Sequence, residues 1–238
     1  MRNLARIVLS ILALCLLLNS CGGKSSKDDD LARTAESGFL GKEESLLAPV
    51  QGHEPMRAWR NPDFNPKNYK AIIVDQVQIW NLDEMAKDSG IKPDELKALA
   101  GFFQNSLAKA LTDIKFPLAD KPGPGVLRIS AAVTDVRPSN PVRNSISSVL
   151  PVGILLSLGE RAAIGRDPNV GGCSVAIRFS DAASGKTMGL FADDRQGDKY
   201  DSANFSETGQ AEKAMTDWAA LIQRRILTLW GSKPVASK

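Results

Sequence analysis

The apolar positions divide the chain into stretches of different character. Ile7 to Leu18 (IVLSILALCLLL) is a twelve-residue apolar run, too short for a spanning helix of about 20 residues. Gly22 to Gly38 has few apolar residues and reads as a flexible tether, about 21–25 Å across as a coil. From Phe39 the pattern becomes that of a folded domain. Phe39-Leu40 and Leu46-Leu47 bracket a polar turn, and a Pro-dotted stretch from Pro49 to Pro66 follows with little periodicity, pinned to the core by Trp59 and Phe64. Tyr69 to Trp80 is β-branched and partly alternating, with Ile73, Val77 and Ile79 on one side, which predicts a strand.

Pro93-Asp94-Glu95 opens a helix, with proline at its first position and acids against the positive end of the dipole. Leu96, Leu99, Phe103, Leu107, Ala110, Leu111 and Ile114 then form one apolar stripe, and Pro117 stops the helix. Val126 to Val136 alternates, with Leu127, Ile129, Ala131 and Val133 on one face; Cys173, Val175, Ile177 and Phe179 do the same on a later strand. Asp181 to Gly185 predicts a hairpin turn, Thr187 to Ala192 the returning strand, and Asp193 to Asp201 a polar loop. A closing helix carries Ala211, Met215, Trp218, Leu221, Ile222, Ile226 and Leu229, with Arg224-Arg225 favouring its dipole and Gly231 ending it. Between Val142 and Gly172, the apolar patch Val149 to Leu158 reads as a buried loop or short strand, or as an exposed oligomer or membrane contact. The expected fold is α+β, a two-layer sandwich of about four strands packed by two amphipathic helices. It forms a single domain over residues 39–231, with a disordered tail at 232–238.

Composition sharpens this by what is scarce. The 238 residues are 43% hydrophobic and 24% charged, which fits a globular domain and excludes collagen-like, disordered and polytopic membrane classes. A net charge of +3 is too small for a nucleic-acid footprint. One histidine and three cysteines leave little material for zinc sites, disulfides or His-based catalysis.

Arg2 and Arg6 before the apolar run complete a secretory signal, and Leu18-Asn19-Ser20-Cys21 resembles the lipobox of bacterial lipoproteins. The resemblance implies removal of residues 1–20 and acylation of Cys21. Each buried methylene contributes about 0.8 kcal/mol, so two or more chains hold a protein on a bilayer. It also implies the outer membrane, on its periplasmic face, because Gly22 stands where an aspartate would retain a lipoprotein on the inner membrane.

Candidate chemistry is sparse. His53 has no Cys or second His near it in sequence, and no G-x-S-x-G elbow occurs. Cys173, on a strand, reads as a small buried hydrophobe rather than a nucleophile. Asp193, Asp194, Asp198 and Asp201 lack the spacing of an EF-hand and read as a solvated acidic loop. Gly123 and Gly125 are separated by proline, which removes the N–H groups of a phosphate cradle. No cofactor, catalytic set or metal site is expected.

Ser37 to Pro49, Pro122 to Pro141 and Val170 to Tyr200 resemble a bacterial lipoprotein family known as domain of unknown function thirty-three thirteen. The shared features are the Gly-Phe-Leu opening, the Ala-Val-Thr-Asp strand ending and the Asp-x-x-Ser-Gly hairpin. One departure lies before Asp181, where Ala176 and Arg178 replace an expected acid. The family brings a location and a fold rather than catalytic residues. Its strand–helix order is similar to that of domains in envelope secretion and transport lipoproteins. The expectation is a non-enzymatic lipoprotein, a binding or assembly component of an envelope complex with an envelope protein as partner. The alternative is a lipid- or substrate-handling accessory of an envelope transport system, with the patch Val149 to Leu158 lining the contact.

Overall fold

The structure, a computed structural model, describes residues 38–53, 55–139, 170–197, 206 and 208–231. The expected signal peptide, Cys21, the tether up to residue 37, the patch Val149 to Leu158, Asp198, Asp201 and the tail 232–238 lie outside the described residues. The described residues form an α+β fold built on one open, mixed sheet. Its strands are β1 (Ala48–Pro49), β2 (Arg57–Arg60), β3 (Ala71–Val74), β4 (Gln78–Ile79), β5 (Val126–Arg137), β6 (Gly172–Asp181) and β7 (Thr187–Gln196). The order is β1-β2-β7-β6-β5-β3, with β4 also on β5; β3 and β4 run parallel to β5 and the remaining pairs are antiparallel. The helices are α1 (Leu82–Ser89), α2 (Pro93–Asp113) and α3 (Gly209–Trp230).

The sheet therefore has seven strands rather than about four. β5, β6 and α2 lie where their periodicity places them, and α2 begins on Pro93 with Asp94 and Glu95 in its first turn. The single strand expected from Tyr69 to Trp80 is instead two short ones. The break falls at Asp75, whose carboxylate accepts from Arg128 Nη1 at 3.1 Å and Ser130 Oγ at 2.6 Å. That break shifts the phase by one residue, so Ile72 rather than Ile73 enters the core ahead of Val77. β1, β2 and α1 carry no legible period; α1 buries only Met85.

Strand alternation sends two different sets of side chains to the two faces. Leu127, Ile129, Ala131, Val133, Cys173, Val175 and Ile177 meet the stripes of α2 and α3 in the main core. Phe103 and Trp218, both fully buried, join the two helices with ring centroids 6.0 Å apart. On the opposite face Ala176 and Leu190 pack beneath Leu40, with Phe39, Leu47 and Trp59 around them. The plain two-layer expectation is corrected accordingly: the segment from Gly38 to Leu47, which includes a 3-10 turn at Gly41–Leu46, covers part of the second face.

Candidate functional site

β7 runs four residues past the expected strand end, through Gln196, and this overturns the solvated acidic loop for Asp193 and Asp194. Asp193 and Asp194 are 3% and 5% exposed. Being consecutive on a strand, they face opposite sides of the sheet. Asp193 points to the helices, where its Oδ2 accepts from Trp218 Nε1 at 2.7 Å and Arg195 Nε at 3.0 Å. Its Oδ1 accepts the backbone N–H of Asp194 at 3.0 Å. Burial pushes its carboxyl above the ordinary aspartate range, and the donated hydrogen bonds pull the other way. Arg195 continues to Asp217 at 3.2 Å and lies over the Trp218 ring, 5.7 Å from its centroid.

Asp194 is held on the other face. Arg137 grips it with two nitrogens, at 2.8 and 2.9 Å, and Ser174 Oγ donates at 2.7 Å. Arg137 also reaches Asp135 at 2.6 Å. Both carboxylates are thus occupied in neutralising arginines, which suits them to fixing the strand rather than to moving protons. Arg57 is different. It is 7% exposed, burial lowers its pKa with Glu44 opposing, and its Nε and Nη2 have no hydrogen-bond partner.

Cys173 is fully buried between β5 and β7, as expected of a small hydrophobe, and burial pushes its thiol well above the usual range. His53 is exposed and lines a polar cavity of about 580 Å³ together with Arg195, Lys213 and Asp217. Among the described residues no group of three or more His, Cys, Asp or Glu is placed to hold a metal ion. No helix among them is long and apolar enough to cross a membrane.

A second cavity, of about 240 Å³, is apolar. It opens between the C-terminal half of α3 and the helix-facing side of β2 and β7. Ala58, Phe179 and Phe191 contribute to the sheet wall, and Leu221, Ile226 and Leu229 to the helix wall. Gly189 stands opposite Arg60 across the β2–β7 pair, so no side chain fills the cavity at that point. Arg60 and Arg225 line the two walls, both exposed, and neither makes an ion pair among the described residues. Sequence reasoning missed this cleft. The signal was present in α3, where Arg225 interrupts the row Leu221-Arg225-Leu229 at four-residue spacing.

The segment that opens the domain is tied down by one residue of β6. Arg178 donates from Nε to Glu43 at 2.9 Å and from Nη2 to the Leu40 carbonyl at 2.9 Å, and it sits 5.9 Å from the Phe39 ring centroid. Gly38 supplies a φ of +75° at the start of this segment. A family model described as protein of unknown function (DUF3313) matches residues 35–222. The chain belongs to this family. The match takes in the Gly-Phe-Leu opening, both aspartates of β7 and the sheet wall of the cleft, and it ends before Arg225.

Each motif of the family resemblance has a mechanical role. Gly38-Phe39-Leu40 docks under Arg178. Asp135, which ends Ala-Val-Thr-Asp, pairs with Arg137. Asp181 Oδ1 accepts from the Ser184 backbone and hydroxyl at 2.7 Å each, while Gly185 takes a φ of +74° to close the hairpin. No curated protein matches the sequence significantly. Among solved structures, the chain is similar to the PelC dodecamer from Paraburkholderia phytofirmans at 10% identity, over 73% of this chain and 95% of that one, with a TM-score of 0.38. It is similar to a minor lipoprotein from Acinetobacter baumannii at 13% identity, over 67% and 94%, with a TM-score of 0.32. It is similar to a Xanthomonas campestris protein of family DUF330 at 12% identity, over 71% and 90%, with a TM-score of 0.37. At such scores these likenesses lend this chain no function.

Proposed function

We propose that the chain is a lipid-anchored envelope protein, held at the periplasmic face of the outer membrane through Cys21, and that its domain works by binding rather than by catalysis. The observation that supports binding is the apolar cleft between α3 and the β2–β7 edge. Core elements build both of its walls, so an apolar group can enter without the domain unfolding. The lipobox around Cys21 supports the anchor. The domain then acts as a binding or assembly component of an envelope complex. The cleft also favours the second reading, a lipid- or substrate-handling accessory of an envelope transport system, because its lining is almost wholly apolar.

Membrane fractionation with crosslinking tests the proposal on the full chain. Wild type is expected in the outer-membrane fraction and in a discrete crosslinked complex. Cys21→Ser, which removes the acylated thiol, is expected to release most of the protein into the soluble fraction. A Cys21→Ser protein that stays on the membrane refutes the anchor. A wild-type protein that crosslinks to nothing refutes the assembly role.

A further inference from the structure

The cleft carries more information than its apolar lining. Its volume of about 240 Å³ lies below the range of about 300–1,000 Å³ common to drug-sized ligand sites, so it has room for part of one hydrocarbon chain and none for a two-chain lipid. Its two walls end in the same charge. Arg60 stands on the sheet wall and Arg225 on the helix wall, both exposed and without an ion pair among the described residues. An arginine in the middle of an apolar helical row has its stem along apolar surface and its guanidinium toward water. Asp63, the acid three residues beyond Arg60, is engaged by Lys186 at 2.8 Å and does not neutralise the pair.

We propose that this cleft binds a single-chain anionic amphiphile, a long-chain fatty acid, with the carboxyl-proximal part of its chain between α3 and the β2–β7 edge and the carboxylate between Arg60 and Arg225. This rests on the reading of the domain as a binding protein and names the class of its ligand. Guanidinium groups match carboxylates in a forked geometry, and two of them facing one apolar slot select an acid over an uncharged chain of equal length. Specificity then follows from charge at the mouth, and affinity from the apolar walls.

The test uses the full chain in its own membranes. Membranes are equilibrated with a diazirine-bearing palmitate, irradiated, and the protein is digested and mapped; diazirine-bearing hexadecanol is the uncharged control. Palmitate is expected to label peptides that carry β2 and the Leu221–Trp230 turns of α3. Hexadecanol is expected to label them about five-fold less, the discrimination that exposed ion pairs provide. Arg60→Ala combined with Arg225→Ala should erase that difference, and both positions are exposed, so the fold should survive. Ala58→Trp should block both probes. Labelling spread over the surface, equal labelling by the alcohol, or a double variant that still prefers the acid overturns the proposal. Stronger labelling by a diazirine-bearing lysophosphatidylglycerol overturns the free acid in favour of a phosphate head. If the probes fail while the anchored protein still enters its crosslinked complex, the fatty acid falls and the assembly reading stands.

Discussion

On β7, two adjacent aspartates each meet an arginine on opposite sides of one sheet, and their consequences differ. Asp194 is nearly sealed and depends on the bidentate grip of Arg137. Removing one partner of a buried pair strands the other, which costs about 3–5 kcal/mol. Arg137→Leu is therefore expected to lower the urea midpoint sharply, whereas a midpoint within error of wild type would show Asp194 to be solvated. Asp181 obeys the opposite rule. The Ser184 hydroxyl, then its backbone N–H, holds this carboxyl below the ordinary aspartate range, with burial opposing. Its contribution to stability is present above the unfolded value of about 3.9 and is lost as pH falls through the lower folded value. Ser184→Ala should raise the Asp181 midpoint followed by carboxyl NMR; an unmoved midpoint would assign the shift elsewhere. The aspartates of β7 were misplaced from sequence because acids are usually solvated. The period-2 row Phe191, Asp193, Arg195 was nonetheless continuous with the strand, and an acid and an arginine two apart on one strand face pair with each other.

At the scale of elements, the legible parts were those whose packing face repeats. α2, β5, β6 and the β6–β7 hairpin each present one regular apolar set to the main core, and their positions follow from that period. β2 escaped because its inward set includes Arg57, a residue that composition assigns to the surface. β3 and β4 escaped as a pair because the Asp75 break changes phase in mid-segment. The cleft, likewise, is made by elements far apart in sequence and has no local signature on its sheet side. Close approach of elements also fixes residues that look idle in sequence. A Cβ on Gly172 would lie 2.6 Å from Arg137 Nη2 and 2.6 Å from the Arg195 carbonyl, one flexible and one backbone. Gly172→Ala is expected to cost about 1–3 kcal/mol by overpacking, read as a lower Tm. An unchanged Tm would mean that β5 and β7 can separate locally at no cost.

For the whole molecule, the core lies between the helices and one sheet face, and Cys173 sits inside it with no exposure. If Cys21 carries lipid and Cys15 leaves with the signal, Cys173 is the one thiol the folded protein keeps. An oxidising compartment then has nothing to join it to, and burial keeps it in its unreactive protonated form. The molecule thereby contains its own clock. A membrane-permeant maleimide should modify Cys173 only as fast as the sheet opens, so the labelling rate in intact cells reads the frequency of unfolding at the envelope. Labelling as fast as a free thiol would mean that the core breathes without unfolding. A ligand seated in the cleft would slow that clock, and the amount by which it slows would measure, in living cells, how much of the protein carries its ligand.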